Sequence, residues 1–191
     1  KHGYQTGAVV SNWTLKTEIC VLDRGFDYYD ENFMSKRTIV VSEQDAKDVT
    51  DLALAWFDKI DVKKPFFAWI HYSDPHAPYM MRKQFRFKPK KGEKVDSPSY
   101  RYDTEVAYTD YHIGRLLRGM EAKGLKKKAL IFFFADHGES LGEHNYVGHG
   151  RQIYIPMMRV PMAIIGPGVQ RGVVSDTEVT LLDVMPTVLA Y

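Results

Sequence analysis

Apolar and polar positions follow two different periods along this chain. Residues 7–12 (GAVVSN) are a short apolar run entered through a glycine, which predicts a buried strand. Residues 27–31 are polar and aromatic and read as a loop. Residues 38–41 (TIVV) predict another short strand. Ser42 then stands as an N-cap ahead of Val49, Leu52, Ala53 and Trp56, whose spacing predicts a helix running to about Ile60. Pro65 restarts the chain. Residues 66–72 (FFAWIHY) form a continuous run, the pattern of a strand buried on both faces.

Residues 80–99 lack periodicity and carry KPKKGEK, so they read as a solvated surface loop, with an anion-binding arm as the alternative. Residues 102–123 predict the longest helix, with Val106, Ile113, Leu116, Leu117 and Met120 on one stripe and Gly124 closing it. Residues 129–135 (ALIFFFA) are the clearest strand, and residues 160–165 (VPMAII) are another, ended by Gly166-Pro167-Gly168. Within the tail at 176–190, a strand or helix, residues 181–189 predict a helix started or interrupted near Pro186. Strands alternating with helices imply an α/β fold, with a largely parallel sheet and helices on both faces. Ligands of such folds bind beyond the carboxyl ends of the strands.

Composition narrows the picture. The 191 residues are 45% hydrophobic and 26% charged, which excludes a disordered, collagenous or coiled-coil chain. Lys+Arg 26 against Asp+Glu 24 leaves a net charge of +2, which gives no reason to expect nucleic acid as a partner. No run approaches the roughly 18 apolar residues of a membrane span. A single cysteine, Cys20, excludes an internal disulfide and a cysteine-rich zinc module, and it reads as a buried structural residue. The opening Lys1-His2-Gly3-Tyr4 is no signal peptide and reads as a processing boundary.

The candidate chemistry follows two strands. After residues 66–72 comes Ser73-Asp74-Pro75-His76-Ala77-Pro78-Tyr79; after residues 129–135 comes a stretch from Asp136 to Gly150 dense in His, Glu and Gly. These segments, with His71, hold five of the seven histidines, a clustering that directs attention to both strand ends. Asp136-His137 supplies a carboxylate and an imidazole where a strand gives out, which suits half a metal site and equally suits a loop-start capping carboxylate. His76, between Pro75 and Pro78, is held in a rigid turn and suits hydrogen bonding to an anionic oxygen, or is a surface turn residue. A zinc site of His137, His144 and His149 lacks helical spacing and a His-Glu-x-x-His motif. Ser140 lacks the Gly-x-Ser-x-Gly context of a hydrolase nucleophile.

The segment ADHGESLGEHNYVGHG, residues 135–150, resembles the hallmark of the sulfatase family within the alkaline-phosphatase-like superfamily. Further matches follow in order: residues 3–8 (GYQTGA), 21–30 (VLDRGFDYYD), 65–79 (PFFAWIHYSDPHAPY), 102–117 with Asp110 and Gly114, 159–168, and 182–187. The resemblance implies a three-layer α/β/α fold with a mostly parallel mixed sheet, truncated at the N-terminus, so that residues 1–191 are a central and C-terminal part of a sulfatase domain. It implies a metal-dependent hydrolase of sulfate monoesters. Asp136 and His137 would be ligands of a divalent metal, calcium before manganese or zinc. His76 would contact the sulfate, and His149 would act near the sulfate and the leaving oxygen.

The family's nucleophile is a formylglycine made within Cys/Ser-x-Pro-x-Arg, and this chain holds no such signature. At residues 20–24 Leu22 stands where the proline would be, and Cys20 lies after the Gly-Tyr-Gln-Thr segment rather than before it. The paired N-terminal aspartates have no match, and Ser11-Asn12-Trp13-Thr14 replaces the usual Gly-Lys-Trp-His. The chain alone is therefore expected to be inactive, with nucleophile and second wall supplied from upstream. Two alternatives stay open: a phosphoryl-transfer, phosphodiester or phosphonate hydrolase of the same superfamily using zinc or manganese, and a non-catalytic domain. Expected partners are a small-molecule or glycan sulfate ester, and family resemblance implies a periplasmic, secreted or membrane-anchored parent.

Overall fold

A computed structural model describes residues 2–33 and 43–191. The strand expected at 38–41 and the proposed cap Ser42 lie outside the described residues. The chain divides into two units, Lys1–Lys123 and Gly124–Tyr191.

In chain order the first unit holds β1 (Gln5–Val9), α1 (Thr17–Cys20), β2 (Tyr28–Asp30), α2 (Ala46–Phe57), β3 (Phe66–Ile70) and α3 (Pro98–Ala122). The strands form one parallel sheet in the order β2-β1-β3. Residues 27–31, read as a loop, thus contain a short strand. Tyr28–Asp30 acquires its extended form by pairing with Gly7–Val9, a tertiary cause that three polar and aromatic residues do not advertise. Gly7 is glycine for a packing reason: a Cβ there would meet Trp56 Cε2 at 2.3 Å, so only a bare backbone lets α2 lie this close.

α2 is capped by Asp45, whose Oδ1 accepts from the Lys47 N–H at 2.9 Å, and it ends at Phe57 rather than near Ile60. Its buried positions Val49, Ala53, Trp56 and Phe57 keep the expected helical spacing. β3 is not enclosed on both faces. Phe66 packs edge-on against Trp56 and Phe57, while Phe67 and Trp69 meet Phe26 on the other side, where Phe67 stays 47% exposed.

α3 begins a turn earlier than its apolar pattern suggests, because Ser97 Oγ accepts from the Tyr100 N–H and Pro98 suits the first turn. Its buried stripe is Tyr100, Thr104, Glu105, Thr109, His112, Leu116 and Met120, whereas Val106 is exposed. Gly124, at φ +70°, allows the left-handed turn that follows the helix. Residues 80–99 hold one 3₁₀ turn, Lys83–Phe85. Cys20 is half-buried rather than buried, its Sγ 3.4 Å from the Lys16 carbonyl.

The second unit holds β4 (Ile131–Phe134), the short hairpin β5 (Ser140–Leu141) and β6 (Val147–Gly148), α4 (Ile155–Met158), β7 (Met162–Ile165) and α5 (Val184–Ala190). β4 pairs antiparallel with β7. α5 follows a 3₁₀ turn capped reciprocally by Thr180 and Asp183, and Pro186 lies in its first turn, where a missing N–H costs nothing. The parallel sheet packed by helices makes the fold α/β, as the alternating pattern predicts.

Candidate active site

β1 and β3 run in parallel register, with Val9 opposite Ile70, so the segments that leave them emerge side by side. They carry polar residues. Ser11 Oγ lies 2.9 Å from His71 Nδ1. Asn12 donates to Glu43 Oε1 at 3.1 Å and to Ser73 Oγ at 3.4 Å. The same Glu43 oxygen lies 3.1 Å from His76 Nδ1, with Glu43 buried and the His76 side chain 32% exposed. His76 follows the cis peptide Asp74-Pro75 and precedes the cis peptide Ala77-Pro78.

Below this turn Arg82 binds Asp45 and Asp74, each at 2.7 Å, approaches Glu105 at 3.4 Å and lies over the Tyr108 ring. Asp74 also accepts from the Ala46 N–H at the start of α2, at 2.8 Å. Burial by itself would lower the Arg82 guanidinium, but Asp74, Asp45 and Glu105 hold it above its ordinary value. Burial would raise the Asp45 carboxyl; hydrogen bonds from the Tyr108 hydroxyl and the Lys47 N–H, with Arg82, bring it below its ordinary value. This network explains why α3 buries Thr104, Glu105 and Thr109 rather than an apolar stripe.

In the second unit, the end of β4 delivers Asp136 and His137. Asp136 Oδ1 accepts from the His137 N–H at 3.0 Å and lies 3.8 Å from His137 Nε2. His137 Nδ1 lies 2.9 Å from the Gly138 carbonyl, which can only accept, so Nδ1 carries the proton and Nε2 keeps its lone pair. Gly138 donates to the Met157 carbonyl at 2.8 Å, and a Cβ there would meet the Pro156 carbonyl oxygen at 2.1 Å. The β5–β6 hairpin turns the chain back. Ser140 is buried and donates to the Tyr146 carbonyl at 2.8 Å, a structural role for a hydroxyl that lacks a nucleophile's context.

The hairpin's return brings His149 onto His137, the rings stacked with centroids 4.0 Å apart. Glu139 backs His149, its oxygens 3.1 and 3.2 Å from Nδ1. Asp136, His137 and His149 are thus assembled within the second unit, and His76 with its partner Glu43 within the first. His144 instead stacks on Tyr154 at 4.0 Å, apart from the His137–His149 stack. Glu43 and Glu139 were missed by sequence reasoning. Glu139 had a signal in the acidic stretch after Asp136-His137; Glu43 had none, since its contact with His76 is tertiary.

One carboxylate oxygen and one imidazole nitrogen with a free lone pair suit a divalent cation. Among the described residues no group of three or more His, Cys, Asp or Glu is assembled for a metal, so this pair fits as part of a ligand set. The chain belongs to the sulfatase family, whose model matches residues 1–191.

It is 28% identical to an endo-4-O-sulfatase of Bacteroides thetaiotaomicron, over 68% of this chain and 29% of the relative. It is 30% identical to a low-salt glycan biosynthesis sulfotransferase of Haloferax volcanii, over 68% of this chain and 34% of that relative. A protein solved in complex with its substrate D-glucosamine-2-N,6-O-disulfate shares the fold with a TM-score of 0.64 at 18% identity, covering 87% of this chain and 53% of that one. The chain spans about a third of the length of these curated relatives. Among the described residues no helix is long and apolar enough to cross a membrane.

Proposed function

We propose that residues 1–191 are a central and C-terminal part of a sulfatase domain, and that the whole protein hydrolyses sulfate monoesters, glycan sulfates being the substrate class its relatives favour. The observation that carries this reading is the stacked pair His137 and His149 beside Asp136, in a chain of this family. Asp136 and His137 would hold a divalent cation, which when bound supplies positive charge to the sulfate oxygens. Calcium is the family expectation, yet an imidazole donor suits zinc better than it suits an oxygen-seeking cation.

Charge builds on the leaving oxygen as the S–O bond breaks. His149 meets that charge. Glu139 faces its Nδ1 edge, and the imidazole would hydrogen-bond or protonate the leaving oxygen. His76, whose ring lies beside the buried Glu43, would contact a sulfate oxygen. The nucleophile would come from outside these residues, from a Cys/Ser-x-Pro-x-Arg segment. A periplasmic, secreted or membrane-anchored parent accords with substrates of this kind.

The test is the whole protein on 4-nitrophenyl sulfate and 4-nitrophenyl phosphate, each with calcium, manganese and zinc. Faster sulfate hydrolysis, abolished by Asp136→Ala, is expected. Faster phosphate hydrolysis with zinc would replace the reading by a phosphoryl hydrolase, and hydrolysis of neither would make the domain non-catalytic.

A further inference from the structure

We propose that the groove between the start of α2, the turn at Lys83–Phe85 and the middle of α3 is a second binding site, which takes a sulfated saccharide. The inference rests on the reading of glycan sulfates as this protein's substrate class.

The groove belongs to the first unit and has a volume of about 660 Å³, within the range of small-ligand sites. α3 supplies Tyr108, Tyr111, His112 and Arg115, spaced as one face of a helix. Lys47 comes from the first turn of α2, and Gln84 and Phe85 from the 3₁₀ turn. No residue of the His76 turn lines it.

One wall is aromatic. Phe85 packs across Tyr108 and Tyr111, with ring centroids 5.4 and 5.6 Å away, and Tyr111 stays 50% exposed. The Tyr108 ring is fixed by Arg82 lying over it and by its hydroxyl, which donates to Asp45. Tyrosine joins an apolar body to a polar tip. That combination matches a sugar, whose ring has apolar C–H faces and a rim of hydroxyls.

The charge decides which kind of sugar. Lys47 and Arg115 line the groove, and among the described residues no carboxylate does. Burial and the neighbouring Arg115 hold the His112 imidazole below its ordinary value, so at neutral pH it adds no charge. Arg115 is oriented in advance. A guanidinium only donates, so its Nη1 gives a hydrogen bond to His112 Nδ1 at 3.1 Å, and its Nη2 gives one to Asp51 at 2.7 Å. Lys47 meets the same Asp51 at 2.8 Å and stands 3.8 Å from Asp48. The Lys47 and Asp51 side chains are 59% and 41% exposed, and ion pairs this open to water hold weakly. Either cation can therefore turn to a sulfate on the ligand. Lys83, exposed on the turn that carries Gln84 and Phe85, adds positive charge beside them. A neutral sugar would leave these cations unanswered.

The experiment is calorimetric titration of the whole protein with a carrageenan hexasaccharide, its desulfated counterpart and sodium sulfate. The sulfated hexasaccharide should bind, and more weakly as salt is raised. Tyr111→Ala and Lys47→Gln, both at exposed positions, should each weaken that binding by about 5- to 10-fold, the scale of one lost contact at the centre of a binding surface. The same losses should appear in a His76→Ala background, since the groove and that turn share no lining residue. No binding by the parent protein, or unchanged affinity in both variants, overturns the proposal. So does equal binding of the desulfated hexasaccharide, which would make the cations idle, or equal binding of sodium sulfate, which would make the aromatic wall idle. Losses that vanish in His76→Ala would place the contact at that turn and overturn it as well. Hydrolysis tests the sulfatase reading and binding tests this one: a protein that cleaves no sulfate ester yet binds through the groove keeps the proposal, and one that cleaves them without this binding loses it.

Discussion

Replacing Arg82 by methionine removes the cation held between Asp45, Asp74 and Glu105 while keeping an apolar stem of similar reach. The side chains of Asp74 and Glu105 are fully buried and that of Asp45 is 20% exposed. Stripping the partner from a buried ion pair costs about 3–5 kcal/mol, because the stranded charge has neither water nor counter-ion. Three carboxylates lose this cation together, but the N–H groups of Ala46 and Lys47 on Asp74 and Asp45, proton uptake and the partial exposure of Asp45 cap the loss near that range. For a chain of this size each kcal/mol moves Tm by about 2–4 °C, so the melting temperature should fall by roughly 6–20 °C.

Urea unfolding followed by tryptophan fluorescence measures the free energy, with Trp56, stacked on Tyr28, as a reporter inside the same unit. Adding Asp74→Asn to Arg82→Met removes one stranded charge. The double variant should then be less destabilised than the sum of the two single changes, by about 0.5–3 kcal/mol. A loss below about 1 kcal/mol for Arg82→Met, or strict additivity, would refute the description of Arg82 as the counter-ion of a buried acidic cluster.

Four further outcomes follow from the geometry. Asp136→Ala in the whole protein should lose bound metal by elemental analysis and most of its turnover; unchanged metal would remove Asp136 from the ligand set. His149→Ala should lower turnover by about 10²–10⁴-fold on substrates with poor leaving groups and much less on good ones, with metal content retained; an equal loss on both would favour anion binding over protonation. Gly138→Ala should destabilise by about 1–3 kcal/mol in urea and impair metal binding, since its Cβ would stand 2.1 Å from the Pro156 carbonyl oxygen. Gly119→Ala is the contrast. Its Cβ would meet a flexible Leu54 methyl at 2.2 Å, so side-chain adjustment and better helix propensity should leave stability within about 1 kcal/mol; a larger loss would show that α2 and α3 cannot adjust.

The sequence by itself determined the α/β class, the α2 stripe of Val49, Ala53 and Trp56, whose helical spacing records burial locally, and the strands at 131–134 and 162–165, whose β-branched and aromatic runs favour extended backbone even though Phe133, Phe134, Ile164 and Ile165 stay exposed. It also determined the family, through the stretch from Ala135 to Gly150 and the segments that match around it. On α3 the expected Leu116 and Met120 are buried but Val106 is not; the helix's first half buries Thr104, Glu105 and Thr109 instead, and polar residues are buried only where partners exist elsewhere: Arg82 for Glu105, and the Asp74 carbonyl for Thr109.

β2 was missed because three residues become a strand only beside β1. α2 is capped by Asp45, one of several residue types near its start that can accept a helix N–H, so only the chain's path selects it. The site divides the same way. Asp136, His137 and His149 were legible because one strand end and one hairpin carry them. Glu43 was decided by tertiary structure alone, because its partner His76 lies on another strand's exit and no local spacing records a carboxylate meeting an imidazole from that distance along the chain.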